Sequence, residues 1–364
     1  MKIAIDISQI VYETGVSHYV RNLVSNLLSI DKENDYLLFA GSLRTRKSIE
    51  EFALTLKGKF ELKIFPIPPT LSNLIWNRMH VFPIDKLIGK VDIVHTSDWS
   101  EPPSSASKVT TVHDLAPLLY PNLFPRDIVR DIVETHKYKL SWVRDESKRV
   151  IVPSDATKED LIKLGFDKNV IRVIPEAVSD IFRPASEKAI VDLKRKYKIS
   201  GKYLLAVGMD LRKNSQKIIN AFNLSRAGKD LKLVFIGSPK YSNITESRNV
   251  RIVGRVPTED LPMFYSGAEA LVYPSLYEGF GLPILEAFAC GCPVVTSDNS
   301  SMSEVAGNAA VVVDPYSPES ITDGIERVLR GRKGFIEKGF KRVANYSWEV
   351  TAKETIKVYS EARL

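Results

Sequence analysis

Glu278 and Glu286 bracket a Gly-rich turn in the run Tyr277-Glu278-Gly279-Phe280-Gly281-Leu282-Pro283-Ile284-Leu285-Glu286-Ala287. The run follows a short apolar stretch, Ala270–Tyr273, that reads as a strand. Gly279 and Gly281 free the backbone, so that amide N–H groups can approach a ligand closely. Pro283 suits the first position of a helix. Such a helix would turn its unpaired N–H groups back toward the loop, making a site for an anion, most naturally a phosphate. Carboxylates beside that site would repel the ligand unless they face hydroxyls, and carboxylates are good partners for vicinal diols. Glu278 lies at the loop entrance and Glu286 about one turn into the helix. That spacing lets one reach a sugar and the other a ribose, with phosphates between. The plainer alternative is a turn followed by a first-turn acid that the helix dipole favours.

Other loops after strands carry chemistry too. Arg212-Lys213-Asn214 follows Gly208 and opens a helix over Ser215–Leu224. Two cations at a helix start oppose its dipole, and an anionic ligand would compensate them. Thr14-Gly15-Val16-Ser17-His18-Tyr19 joins the first strand to the first helix, where Gly15 permits close backbone approach. Thr111-Val112-His113-Asp114-Leu115 ends a strand; His113 is either a packed residue or one aimed at a ligand. Val253-Gly254-Arg255-Val256-Pro257 follows another strand.

Short β-branched runs alternate with amphipathic stretches, starting at Ile3–Ile7 and Val16–Leu28. Tyr36–Ala40, Glu61–Phe65, Asp92–His95, Val109–Val112 and Arg149–Val152 are further strands. The rhythm restarts at Tyr203–Val207 and continues through Lys232–Ile236, Arg251–Val253, Ala270–Tyr273, Pro293–Thr296 and Ala310–Val313. This alternation predicts an α/β architecture with two parallel, doubly wound sheets. The boundaries follow: a first domain over 1–177, a Pro-, Ser- and Lys-rich linker over 178–200, and a second domain over 201–346. A last helix runs over 347–364, with Ser347 as its N-cap. Ligands of such sheets sit outside the carboxyl ends of the strands.

The length of 364 residues fits two domains, and the hydrophobic share of 44% and charged share of 26% are ordinary for a globular chain. No apolar run approaches the roughly 20 residues that span a bilayer, and Met1-Lys2-Ile3-Ala4-Ile5-Asp6 is no signal peptide. A cytoplasmic protein is expected, and Asn243-Ile244-Thr245 is then a chance sequon. Cys290 and Cys292 cannot build a thiolate zinc site and read as packing residues. The net charge of +7 leans on basic clusters in the first half, which attract phosphorylated ligands or anionic lipid. No nucleic-acid motif is present, so nucleic acid is not an expected partner. No strand–Gly-x-Gly-x-x-Gly–helix unit with a following acid appears, which excludes an NAD-dependent Rossmann enzyme.

The string from Glu278 to Ala287, followed by Cys290-Gly291-Cys292-Pro293-Val294-Val295, resembles the E-x7-E signature of the retaining glycosyltransferases of family 4 (group 1). The likeness covers nearly all of the chain. It implies the GT-B fold: two Rossmann-like domains facing across a cleft, with the C-terminal helix returning to the first. It further implies that Glu278 and His113 are catalytic, His113 bonding the transferred sugar. The donor is held by Gly15, Arg212, Lys213, Val256, Gly279, Phe280, Gly281, Leu282 and Glu286. Arg212 and Lys213 contact the diphosphate, and the loop with Val256 contacts the base largely through backbone groups. Ser17 stands where the family's Gly-Ile-Gly-x-Tyr has its second glycine. Ile174-Pro175-Glu176-Ala177-Val178 resembles the usual Ile-Pro-Asn-Gly-Val but differs at Glu176 and Ala177. The Asp-x-Asp metal motif of the other major glycosyltransferase fold is absent. Activity without a divalent metal or other cofactor is therefore expected, with protein groups stabilising the leaving diphosphate.

The resemblance implies a UDP-, GDP- or ADP-sugar as donor and a glycan or lipid-linked sugar as acceptor, and it favours mannose as the hexose because Val295–Pro315 looks most like family members that transfer mannose. Peripheral contact with an anionic inner membrane fits the basic first half. The alternatives are a sucrose- or trehalose-type synthase of the same fold and a non-catalytic nucleotide-sugar-binding subunit.

Overall fold

Apolar runs that stop at a glycine or a small polar residue become parallel strands buried on both faces. The computed structural model describes residues 1–12, 14–97, 100–238 and 244–363. Asn243 of the sequon-like triplet and Leu364 of the expected last helix lie outside the described residues. The chain divides into two units. One holds Met1–Pro121, Arg126–Glu176 and Ser347–Leu364; the other holds Asn122–Pro125 and Ala177–Tyr346.

The sheet of the first unit contains β1 (Lys2–Asp6), β2 (Asp35–Gly41), β3 (Phe60–Phe65), β4 (Ile93–Ser97), β5 (Ser107–Thr111), β6 (Ser147–Val152) and β7 (Ile171–Val173). Their order is β3-β2-β1-β4-β5-β6-β7, and every pairing is parallel. The strand order therefore reverses between β1 and β4. The three-residue β7 was not foreseen, because so short a run before Pro175 carries no periodicity.

The second sheet contains β8 (Tyr203–Val207), β9 (Lys232–Ile236), β10 (Val250–Gly254), β11 (Ala270–Tyr273), β12 (Val294–Ser297) and β13 (Val311–Val313). Its order is β10-β9-β8-β11-β12-β13, also parallel, with Ala270 opposite Leu204 and Leu271 opposite Leu205. The switch point here lies between β8 and β11. Alternate residues of β8 serve two cores. Tyr203 and Leu205 pack on the face that receives Ile284, Leu285 and Phe288, while Leu204 and Ala206 pack against Ile218, Ala221 and Phe222.

Two helices fix the loops that matter. Ser215–Leu224 buries Ile218, Ala221 and Phe222 at helical spacing. Leu282–Ala289 buries Ile284, Leu285, Ala287 and Phe288, and truncating the fully buried Phe288 to Ala would cost about 3–5 kcal/mol. Pro283 is the second residue of that helix rather than the first. Cys290 and Cys292 are free and buried in the same core, and burial pushes the Cys290 thiol up to about 12.

The stretch 178–200 is not a bare linker. Glu187–Lys196 is a helix capped by Ser186, and its Leu193 is buried with Phe182 and Ile199 in the core of the second unit. The final helix, Trp348–Arg363, belongs to the first unit. It buries Trp348, Thr351, Ala352, Thr355, Val358, Tyr359 and Ala362 along one face. Its Tyr359 hydroxyl lies 2.7 Å from His95 Nδ1, and Thr351 Oγ1 donates to the Pro175 carbonyl at 2.8 Å.

Candidate functional site

In the second unit the loops after β8 and β11, neighbours at the switch point, bring three charged side chains together. Asp210 Oδ1 accepts from the Lys213 N–H at 3.1 Å and turns the chain through Leu211–Lys213. Asn214 follows in the left-handed region (φ 61°), a conformation asparagine tolerates. Its side-chain amide donates to the carbonyls of Pro274 (3.1 Å) and Pro315 (2.7 Å), tying three strand-end loops together. Arg212 and Lys213 are thereby aimed at Glu278. Arg212 Nη1 reaches Glu278 Oε2 at 2.5 Å, and Lys213 Nζ reaches Glu278 Oε1 at 2.6 Å. Lys213 Nζ also donates to the Tyr273 hydroxyl at 2.5 Å. Gly208 (φ +84°) makes room for this arrangement, since a Cβ there would stand 2.6 Å from Lys213 Cγ.

Glu278 is buried, 8% exposed, and Arg212 and Lys213 are half-buried around it. Burial alone would raise the Glu278 carboxyl, but Arg212 and then Lys213 outweigh it and hold it down at about 2. Burial pushes the Lys213 ammonium below its ordinary value; Glu278 opposes that and Arg212 adds to it. Glu278 thus stays a carboxylate and acts as acceptor or counter-charge, not as a proton donor, near neutral pH.

The loop carrying Glu278 is stapled from the segment after β12. The Glu278 N–H donates to Ser300 Oγ (3.0 Å), and that hydroxyl lies 2.8 Å from the Glu278 carbonyl. Ser301 Oγ donates to the carbonyls of Glu278 and Phe280, both at 2.9 Å. Gly279 is buried and does not occupy the left-handed region, whereas Gly281 does, at φ 101°. The Phe280 side chain is core, edge-on to Tyr346 at 5.9 Å, so only its backbone can face a ligand. Leu282 and Val256 are half-buried, packed against the same core. Glu286 is half-buried and accepts from the Tyr265 hydroxyl at 2.7 Å. Burial pushes its carboxyl up to about 7, against the smaller opposing effects of Tyr265 and Lys213.

In the first unit, Gly15 is exposed and begins the helix Gly15–Ile30. Open space surrounds its missing Cβ, and its φ is not positive, so the backbone itself does not demand glycine there. Ser17 forms a capping box with Thr14 and also donates to the Gln9 carbonyl at 2.5 Å, so its hydroxyl holds the helix start. His113 follows β5, with Nδ1 3.0 Å from Glu176 Oε1. A cavity of about 370 Å³ opens at the carboxyl ends of β1 and β2, lined by Asp6, Ser8, Tyr12, Trp76 and Ser100 among others.

Sequence reasoning singled out Arg212, Lys213, Glu278, Glu286 and His113. It missed Tyr273, Asn214, Tyr265, Ser300 and the pairing role of Glu176. Only Glu176 carried a signal, as a charged residue where the resembled motif has asparagine.

Residues 192–342 match the family model described as Glycosyl transferases group 1, and residues 14–180 match Glycosyltransferase Family 4. The O-antigen chain mannosyltransferase B of Escherichia coli is 32% identical over 285 residues, covering 73% of this chain and 74% of that protein. A glycosyltransferase from Rickettsia africae superposes with a TM-score of 0.72 at 19% identity, over 99% of this chain and 98% of that one. The Anabaena protein HepE, solved in complex with UDP-glucose, superposes with a TM-score of 0.70 at 14% identity, over 99% of each chain.

Proposed function

This chain belongs to the group 1, family 4 glycosyltransferases, and we propose that it moves mannose from a nucleotide-diphosphate donor to a hydroxyl of a glycan or lipid-linked acceptor, with retention and without a divalent metal. The observation that carries this reading is the Arg212–Lys213–Glu278 cluster at the switch point of the second sheet. Mannose is favoured by the likeness to the O-antigen mannosyltransferase.

In this reading Arg212 and Lys213 take the donor diphosphate, trading part of their contact with Glu278 for phosphate oxygens. They then stabilise the charge that gathers on the departing diphosphate. The helix start at Leu282 adds backbone dipoles of the same sign. The C–O bond between the anomeric carbon and the diphosphate breaks, and its electron pair stays on the phosphate oxygen. The acceptor oxygen attacks from the same face, and its proton passes to that phosphate oxygen. Glu278, already ionised, accepts from hydroxyls of the transferred sugar, and Glu286 accepts from the ribose. His113 meets a hydroxyl of the transferred sugar. The acceptor occupies the cavity at the ends of β1 and β2, where Tyr12 and Trp76 offer apolar faces and Ser8 and Ser100 offer hydroxyls.

The test is transfer from GDP-mannose, alongside UDP- and ADP-sugars, to lipid-linked and free sugar acceptors, with and without chelator. The expected result is an α-configured product from an α-donor at an unchanged rate in chelator. Glu278→Gln should lower turnover about 100-fold or more while the protein stays folded. Inversion, rescue by magnesium or manganese, or wild-type turnover in that variant would each overturn the corresponding part of the reading.

A further inference from the structure

The loop after β5 and the segment after β7 bring two buried side chains into contact. His113 is 9% exposed and Glu176 5%, and His113 Nδ1 lies 3.0 Å from Glu176 Oε1. The ring is held from another side by Tyr19, edge-on at 4.5 Å and 80°. Tyr19 is in turn fixed by a hydrogen bond to Thr111 Oγ1 (3.2 Å) and by edge contact with Trp348. The other ring nitrogen, Nε2, is buried and has no hydrogen-bond partner.

A carboxylate only accepts hydrogen bonds, so the pairing puts the ring proton on Nδ1. A neutral imidazole then carries its lone pair on Nε2, aimed at a place where the protein supplies no donor. Asparagine, which the resembled Ile-Pro-Asn-Gly-Val string has at this position, could present either its oxygen or its amide group. It would accept either tautomer. Glutamate removes that freedom.

We propose that Glu176 is a positioning residue that locks His113 as the Nδ1–H tautomer, leaving Nε2 to accept a hydrogen bond from a hydroxyl of the transferred sugar. The sugar contact rests on the glycosyltransferase reading given above; the tautomer does not. Because the acceptor atom is already oriented, the site discriminates in favour of a hydroxyl at that point and against a deoxy group.

The experiment is a long-range ¹H–¹⁵N spectrum of the full-length protein, labelled at its five histidines. It is recorded about two pH units above the ordinary histidine value of ~6.5. The His113 signals are identified by their loss in His113→Gln. The expected wild-type pattern is a protonated Nδ1 and a bare Nε2, with no donor added. Glu176→Ala should shift the ring toward the other tautomer and lower kcat with GDP-mannose about 10-fold, leaving KM for the donor within about 2-fold. Glu176→Gln, which can still offer an acceptor oxygen, should recover part of that loss. A wild-type ring protonated on Nε2, or charged at that pH, overturns the proposal without reference to any variant. So does an Nδ1–H signal unchanged in Glu176→Ala. The spectrum is read without donor, so the failure of GDP-mannose as substrate is distinguishable from the failure of the tautomer.

Discussion

At Glu278 two cations outweigh burial and hold the carboxyl at about 2; at Glu286 burial wins and pushes it up to about 7. The two linkages have opposite signs. A carboxyl whose native value is depressed adds stability that is present above its ordinary 4.5 and is lost as pH falls toward 2. A carboxyl whose native value is raised binds its proton more tightly when folded, so stability declines as pH rises from 4.5 to about 7. Glu286→Gln should therefore melt above the wild type at pH 8 and show a smaller gain near pH 5, by scanning calorimetry at both pH values. Donor hydroxyls favour the ionised carboxylate, so wild-type donor affinity should fall as pH drops through about 7, while the Gln variant stays flat. A wild-type affinity that does not vary across that window would remove Glu286 from the donor site. The acid strengths themselves were not legible in the motif, where the two glutamates look alike. They depend on Arg212, 66 residues from its partner Glu278, and on the packing of Tyr265.

The loop between β11 and the helix Leu282–Ala289 owes its shape to a left-handed Gly281 and to hydroxyls from the next loop. A Cβ at position 281 would meet Ile284 Cδ1 at 3.3 Å with the backbone held at φ 101°. Gly281→Ala should cost about 1–3 kcal/mol in urea unfolding and lower turnover with it. A cost within about 0.5 kcal/mol of zero would mean that the turn relaxes freely. Ser301→Ala removes the hydroxyl that serves two carbonyls of this loop and should cost about 1–2 kcal/mol. The glycine was readable from the sequence because few residues adopt that turn. The serines were not, because a serine in a loop has no characteristic spacing until its partner is known.

The two units repeat one plan: three strands wound outward on one side of a switch point, and the remaining strands wound outward on the other. In each sheet the loops at the strand ends carry the functional candidates. Among the described residues no helix is long and apolar enough to cross a membrane. The first unit nevertheless exposes Leu71, Leu74, Met79, Val81 and Phe82 in one stretch of chain that also contains Arg78 and Lys86. We propose that this stretch, on a chain whose overall net charge is +7, meets the surface of an anionic bilayer. The protein should co-sediment with vesicles containing about 30% anionic lipid at low salt and detach as salt screens the charges. Replacing Leu74, Met79 and Phe82 by Ser should weaken that binding. Equal sedimentation with neutral vesicles, or none with anionic ones, would count against a membrane-facing role.

The two-sheet plan and the positions of the strands other than β7 were decided by the sequence itself. Parallel strands buried on both faces must be short apolar runs, and each must end where the chain can turn. The turn before the helix Leu282–Ala289 was likewise decided there, because the left-handed conformation at Gly281 favours glycine. Tertiary structure alone decided that Arg212 and Lys213 close on Glu278, that Tyr265 meets Glu286 and that Glu176 meets His113. Those contacts join positions 21 to 66 residues apart, and their energies come from burial and distance. Neither quantity exists until the sheets have brought the loops together.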